Sequence, residues 1–524
     1  MPRPAHNTFD LSHDRKMSIK MGALTPVLAM ECVPGDSFTI KTSALTRFAP
    51  LLAPVMHQSS VYTHFFFVPN RILWDEWEDF ITGGLDGLAD PAFPVLQSAS
   101  DILVKDGELL DYLGLPSATY TTDTVSALPS CAYNKIYNDY YMDENLSTPA
   151  VDKVTSGSNN IGVFKTIKNR AWQHDYFTSA LPWTQKGPEA TIPLGLEAPL
   201  LYGDYQSSPP TVYGDATLAR EPFSAGGAVL TNQGGLNFSG SSGELLDSST
   251  PGGSKWNPDI TNTHVADLKE ASAASINELR RAFRLQEWLE RNARGGSRYI
   301  EVILAHFGVQ SSDARLQRPE FLGGSATPMS ISEVLQTSNT ASAPTSEDET
   351  PQGNMAGHGV AVAQSNKIAY KCEEHGYIIG IMSVMPKSAY QQGIPKHFIK
   401  FDKFDYYWPS FANIGEQPIY NKELYQDIFD GQNDEVFGYT PRYAEYKYIP
   451  STVHGEMRDS LNFWHMGRIF ASRPSLNQDF IEMDADEVSR IFAVQEAAAE
   501  DVYVYLHNKI KARRPMPYFG TPTI

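Results

Sequence analysis

"HGYIIGIMSVMP", residues 375–386, is the stretch on which the fold turns. Its apolar residues follow one another without the polar alternation of a half-buried strand, and Gly and Pro bound the run. It therefore reads as a central strand buried on both faces. "RYIEVILAHFGV", 298–309, reads the same way. "SFTIKT", 37–42, differs, because Phe38 and Ile40 alternate with Thr39 and Lys41, the period of a strand with one buried face. "VYTHFFFVP", 61–69, is a further β-rich run ended by Pro69. After it, "NRILWDEWEDFITGG" changes period: Leu73, Trp77, Phe80 and Ile81 fall on one helical face, and Gly83 and Gly84 supply the stop. One long helix is predicted over 262–294, capped by Asn262 or Thr263, with Ile276, Leu279, Ala282, Phe283, Leu285 and Leu289 on its apolar face. Glu287–Arg291 and Glu290–Arg294 are favourable pairs on its exposed side, each contributing about 0.3 kcal/mol. Gly295 and Gly296 end it.

Segments of another kind interrupt these elements. Residues 196–261 are rich in Gly, Ser, Pro, Thr and Asn, with no periodicity beyond one short strand, and shorter stretches at 144–162 and 339–354 share that punctuation. Loops of such length inside a folded chain are functional or disordered. Many strands, few helices and long excursions predict a β-sandwich whose loops have grown.

Composition narrows the classes. The 524 residues are 41% hydrophobic and 20% charged, the balance of a packed globular chain. Lysine and arginine number 42 against 61 acidic residues, a net charge of −19, so the surface as a whole repels nucleic acid and anionic membrane. Nucleic-acid contact then requires a local basic patch or a basic partner. The cysteines, Cys32, Cys131 and Cys372, are odd in number and far apart, which argues against a disulfide framework and fits a reducing compartment. The N-terminal stretch has no signal-peptide core, and no run reaches the roughly 20 apolar residues of a membrane span, so a soluble chain without membrane insertion is expected.

Two clusters invite a chemical reading. "CEEHG", 372–376, gathers a thiol, two carboxylates and an imidazole, but on a strand these side chains point to opposite faces and cannot converge on a metal. "DEWED", 75–79, offers Asp75, Glu76, Glu78 and Asp79 as an acid/base pair, yet carboxylates early in a helix are what the helix dipole favours. His13, Asp14, His358, His454 and His465 are scattered, and nucleophile-elbow, Walker and dinucleotide fingerprints are absent. No enzyme and no cofactor are expected.

Aromatic and basic clusters are more informative. "FDKFDYYWPSF", 401–411, and "RYAEYKY", 442–448, interleave rings with Lys and Arg, either to stack bases or to fill a subunit interface. The interface reading is preferred, with Tyr406, Tyr407, Trp408, Tyr443 and Tyr446 as its candidates. "NKIKARRPMPYFG", 508–520, holds the densest basic cluster, and Lys509, Lys511, Arg513 and Arg514 are the candidate DNA contacts on a C-terminal tail. "AWQHDYFTSALPWTQKG", 171–187, carries His174, Asp175, Ser179 and Lys186 in no catalytic arrangement.

The series "HFFFVPNRILWDEWEDF", "LPSCAYNKIYNDYYMDENL", "DYFTSALPWTQKG", "LRRAFRLQEWLERNARGGSRYIEVILAHFGV", "ARLQRPEFLGG", "FGYTPRYAEYKYIPSTVHGEMR" and "FWHMGR" resembles the major capsid proteins of the Microviridae, of the gokushovirus type. The resemblance runs from about residue 8 to 519 and lapses at 85–125 and 196–261. Met142 stands where the family commonly has a basic residue. The resemblance implies a mainly β chain, an eight-stranded antiparallel jelly roll with long loop insertions and a few helices. It implies sixty copies in a T=1 icosahedral shell around a circular single-stranded DNA genome, through pentamer intermediates. The implied partners are further copies of the chain, a small basic DNA-packaging protein, a scaffolding protein, viral single-stranded DNA and a host receptor. The virion is the expected location, and the bacterial cytoplasm the place of assembly. On this reading 1–195 and 262–524 are two parts of one jelly roll with an N-terminal arm and a basic C-terminal tail, while 196–261 is the insertion that protrudes at the three-fold axes and meets the host. The competing class is a secreted carbohydrate-binding or carbohydrate-active β-sandwich protein, for which a signal peptide and paired carboxylates would be expected; a third is another jelly-roll structural protein of a vertex or spike.

Overall fold

The computed structural model describes residues 6–519 except 86–87, 98–101, 121–123, 296–300, 302–303, 307, 309, 311, 338–351, 428–430 and 495–499, and within 188–275 only short strands. Its framework is β1 (His13–Ile19), β2 (Thr25–Cys32), β3 (Ser37–Phe48), β4 (Ser59–Pro69), β5 (Glu320–Pro328), β6 (Met355–Gln364), β7 (Gly376–Pro386) and β8 (Val502–Arg514). Sheet one has the order β1–β8–β3–β6 and sheet two the order β5–β4–β7–β2, with every neighbour antiparallel. Asn7–Asp10 continues the pairing along β8, Ile368–Lys371 continues it along β3, and Ser330–Leu335 lies outside β6. Apart from β4 to β5, consecutive strands pass from one sheet to the other. This is the eight-stranded jelly roll, with its two sheets face to face and the barrel not closed.

Burial explains the two sequence patterns. Between the sheets, Phe38, Ile40, Ile510 and Ala512 meet Leu28, Phe65, Phe67 and Ile378, and further along Phe48, Val504 and Leu506 meet Val27, Val61, Met382 and Val384. Sheet two is also covered on its other face, where Phe66, Val68, Ile379 and Ile381 pack against Leu128, Ala132, Tyr133 and Ile136 of the helix Leu128–Ile136. β7 is thus buried on both sides and reads as one apolar run, each large side chain contributing about 2 kcal/mol. Gly380 sits where this layer is tightest: a Cβ there would lie 2.8 Å from Phe65 Cε1. β8 has sheet two on one side and solvent on the other, so it alternates strictly. The one polar residue it turns inward, Asn508, is satisfied, accepting from Thr42 Oγ1 at 2.8 Å and donating to the Val27 carbonyl at 3.3 Å.

Two connections hold most of the remaining chain, 70–319 between β4 and β5 and 387–501 between β7 and β8. The chain divides into two compact units, one of residues 1–186 with 290–524 and one of 187–289. In the second, Leu200–Tyr202 pairs with His264–Ala266, Thr211–Tyr213 with Pro222–Ser224, and Leu236–Phe238, Leu245–Asp247 and Lys255–Trp256 form a three-stranded sheet. The segment 196–261 therefore contains paired strands of two or three residues, too short to show a period.

Several local expectations are corrected. The long helix spans Ile276–Gly295 rather than 262–294, because His264–Ala266 is committed to a strand pair; Asn262 and Thr263 lie outside the described residues. Arg284 pairs with Glu287 at 2.5 Å, and Arg294 pairs with Glu416. In "RYIEVILAHFGV" the described residues Glu301 and Leu304–His306 are helical, not extended. A short apolar run carries no periodicity to tell the two apart. After β4 the chain makes a turn of 3₁₀ helix at Asn70–Ile72 and then the helix Trp77–Thr82, ended by Gly83 in the left-handed region at φ +82°. Of the expected face, Leu73 is buried and Trp77 and Phe80 pack against the core, whereas Ile81 is 49% exposed and Trp74 is buried in its place. Of the loop expected at 339–354, residues 339–351 lie outside the described residues.

Candidate functional site

β8 builds the first candidate surface. Because Val504, Leu506, Ile510 and Ala512 face the core, the alternate residues Tyr503, Tyr505, His507, Lys509, Lys511 and Arg513 stand on the outer face of sheet one. Register then adds cations from the neighbours: Lys41 of β3 lies opposite Lys509, Arg47 opposite Tyr503, and Lys16 of β1 opposite Tyr505. Asp14 lies on the same face, 2.5 Å from His507 Nδ1 and 3.0 Å from the Tyr505 hydroxyl, and these bonds hold its carboxyl below the usual range. The basic cluster is accordingly not a tail; it is the solvent face of a central strand. Lys16, Lys41 and Arg47 escaped the sequence reading, since only pairing register brings them beside β8.

Arg514 separates from the other candidates. It is half-buried, donates to the Glu31 carbonyl at 2.9 Å, lies 3.5 Å from the buried Asp36 carboxylate and covers the Phe38 ring. It is a structural cation, turned away from the face that carries Lys509, Lys511 and Arg513.

The aromatic candidates form a second surface in the β7–β8 connection. Tyr406, Tyr407, Trp408 and Tyr446 are each about half exposed, and Phe398, Phe401, Ile414, Tyr448 and Ile449 extend the apolar area. Tyr443 departs from the expectation, being 3% exposed. It adopts φ +63°, its ring lies 5.0 Å from that of Tyr407, and its hydroxyl donates to the Tyr406 carbonyl at 3.3 Å. It supports the patch from beneath. Asp402 and Asp405 cap the turn before it, Trp408 Nε1 donates to the Lys403 carbonyl at 2.8 Å, and Lys400 bridges Glu445 at 2.7 Å while lying over the Tyr446 ring. Rings held this firmly lose little side-chain entropy on contact with a neighbour.

The chemical clusters resolve into structure. Within "CEEHG", Cys372 is buried, Glu374 is paired bidentately with Arg71 at 2.8 Å, which holds its carboxyl below the usual range, and His375 meets the edge of Trp77. In "DEWED", Asp75 pairs with Lys153 at 2.6 Å and Glu76 accepts from Ser156. Both clusters border one open cleft of about 470 Å³ between Arg71, Glu78, Asp79 and Glu373. Among the described residues no three metal-type ligands gather. Asp175, in the stretch 171–187, accepts from the backbone of Phe177 and Thr178 through one oxygen and from Ser388 and Tyr390 through the other, so it ties its loop to the chain after β7. The separate histidines stay separate: His13 contacts the Leu11 carbonyl, His454 contacts Thr452, and His465 contacts the Met457 carbonyl.

A jelly roll with a basic sheet face, a rigid uncovered aromatic patch and ion-paired carboxylates defines a shell-forming structural protein. The comparisons agree. Residues 3–524 match the family model described as "Capsid protein (F protein)". Capsid protein VP1 of Chlamydia phage 1 is 35% identical, the match covering 98% of this chain and 95% of that one. Capsid protein VP1 of Bdellovibrio phage phiMH2K is 35% identical over 98% and 94%, and that of Spiroplasma virus 4 is 33% identical over 98% and 94%. The chain belongs to this phage capsid family, the Microviridae type that its sequence resembles. It is a structural protein of the virion that assembles with its own copies into a shell, and the carbohydrate-binding alternative is not favoured. Among the described residues no helix is long and apolar enough to cross a membrane.

Proposed function

We propose that sixty copies of the chain form a T=1 icosahedral shell around circular single-stranded DNA, with the outer face of sheet one turned towards the genome. The observation that carries this reading is the row Tyr503, Tyr505, His507, Lys509, Lys511 and Arg513 flanked by Lys16, Lys41 and Arg47, a basic and aromatic surface in a chain of net charge −19. Cations follow a phosphate backbone and tyrosine rings accept stacked bases, the combination used for single strands without sequence preference. The acidic remainder leaves further neutralisation to a small basic packaging protein. The patch around Tyr406, Tyr407 and Trp408 meets neighbouring copies, first within pentamers built with a scaffolding protein. The segment 196–261 protrudes at the three-fold axes and contributes to attachment to a host receptor. Assembly in a reducing cytoplasm suits three cysteines that are all buried and unbridged.

Expression of the full chain with a scaffolding protein, followed by sedimentation and negative-stain microscopy, tests the reading. Pentamers and closed shells that protect single-stranded DNA from nuclease are expected. A chain that stays monomeric at every concentration, or shells that leave the DNA digestible, would overturn it.

A further inference from the structure

The three cysteines are far apart in sequence, but the fold brings two of them together. Cys32 is the last residue of β2, in sheet two, and Cys372 directly follows Ile368–Lys371, which continues the pairing of sheet one. Two backbone bonds make them neighbours at this end of the sandwich. The Gly35 amide donates to the Cys372 carbonyl at 2.9 Å, and the Cys372 amide donates to the Asp36 carbonyl at 2.8 Å. Both side chains are 0% exposed and share one apolar cluster with Leu28, Phe67, Ile368 and Ile378, where the two thiols hydrogen-bond each other. Pro34 and Glu373, on the turns that cover the pair, are exposed, so a single layer of chain separates it from water.

Cys131 has no such companion. It is equally buried, but it sits on the helix Leu128–Ile136, in the separate cluster on the other face of sheet two. The chain thus holds one thiol pair and one single thiol.

Two thiols in contact can undergo one reaction that a single thiol lacks, the loss of two hydrogens to give a disulfide. The sulfurs need only close from hydrogen-bond separation to about 2.05 Å. A bond there ties sheet one to sheet two covalently and closes a long stretch of chain, the case in which a cross-link restricts the unfolded state most. The bond to Cys372 and burial raise the pKa of the Cys32 thiol, so it stays protonated and reacts slowly. The pair therefore persists as thiols while the chain folds in a reducing compartment.

We propose that Cys32 and Cys372 are an oxidation site, a dithiol during folding and assembly that becomes an inter-sheet disulfide when the finished shell meets peroxide outside the cell. One sulfur attacks the O–O bond of hydrogen peroxide, becomes a sulfenic acid and releases one water. The second sulfur then attacks the first, forming the S–S bond and expelling the sulfenic hydroxyl, which leaves with the thiol proton as a second water. Two thiols and one peroxide give one disulfide and two waters. Peroxide is scarcely larger than water, which suits a pair beneath one layer of chain. A sulfenic acid on Cys131 has no thiol beside it to condense with. The subunit is thereby stapled only after its assembly is complete.

The test treats the native full-length protein, purified with its thiols reduced, with dilute hydrogen peroxide, then blocks remaining thiols with N-ethylmaleimide before digestion and mass spectrometry. One linked peptide pair joining Cys32 to Cys372, lighter by two hydrogens than its separate halves, is expected, with Cys131 recovered as the maleimide adduct. The oxidised wild type and Cys131→Ser should melt about 3 °C higher than their reduced forms, whereas Cys372→Ser given the same peroxide should show no rise. The wild-type peptide map decides the matter alone should a variant not fold. Cys32 and Cys372 recovered as separate thiols or separate oxyacids would overturn the proposal. So would a link to Cys131, a link between copies, or an equal rise in Cys372→Ser.

Discussion

Neutralising the outer face of β8 gives the sharpest test of the genome surface, and the structure decides which residues belong in it. Lys509, Lys511 and Arg513 share that face, whereas Arg514 is folded back onto Asp36 and the Glu31 carbonyl. The triple replacement Lys509→Gln, Lys511→Gln, Arg513→Gln should leave the strand intact, because Ile510 and Ala512 carry its burial. Each phosphate contact contributes about 0.7 to the log–log salt slope for a single strand, so three lost contacts lower the slope by about 2. Between 50 and 200 mM salt the wild-type affinity should then fall about twentyfold more than that of the variant. Fluorescence anisotropy of a labelled oligothymidylate titrated with the full chain reads both slopes. Arg514→Gln is the contrasting perturbation: its slope should stay that of the wild type, while the melting temperature falls because a buried carboxylate loses its cation, at a cost of about 2 kcal/mol. Identical slopes for the triple variant and the wild type would show that β8 does not meet the strand.

Three further outcomes are expected. Replacing Tyr406, Tyr407 and Trp408 with Ser should preserve the circular dichroism spectrum and abolish pentamers in sedimentation, since buried interface aromatics are worth up to a few kcal/mol each; loss of folding would place them in the core. Burial raises the Asp501 carboxyl from 3.8 to about 6, so the folded chain holds a proton that the unfolded chain releases between about pH 4 and 6. Stability at this residue therefore declines across that window by roughly 2 to 3 kcal/mol, and Asp501→Asn, which keeps an acceptor for the Met21 amide, should melt higher than the wild type at pH 7.5 and equally at pH 4. Exchanging 196–261 for a short Gly/Ser link should still yield shells but abolish adsorption to host cells, because loop closure depends only weakly on length; normal adsorption would remove the receptor role.

Legibility followed burial. β7 was visible because both of its faces are covered, which leaves a run with no polar interruption. β8 showed the opposite pattern just as clearly in Lys509, Ile510, Lys511, Ala512 and Arg513, yet counting its charges as a cluster concealed the apolar residues between them that mark a strand. Tyr443 looked like its exposed neighbours because nothing local reveals a left-handed backbone that turns one ring of three inward. The helix at Leu304–His306 was misread for want of a period. Local patterns reached a sandwich; the order of strands within it came from family resemblance and was met by the pairing of β8 between β1 and β3.

That pairing also governs when the protein becomes competent. β8 leaves the ribosome after the other seven strands of the framework, and it supplies the middle of sheet one, joining residues 13–19 to residues 37–48. A chain cut anywhere before residue 502 leaves β1 with no strand beside it and exposes one edge of β3, while the part of the core that Val504, Leu506, Ile510 and Ala512 fill stays open. Pairing across almost the whole length of a chain is slow and is rewarded only at the end. Sheet one therefore forms only in a chain that carries β8, and a product cut before that strand is expected to stay out of the shell.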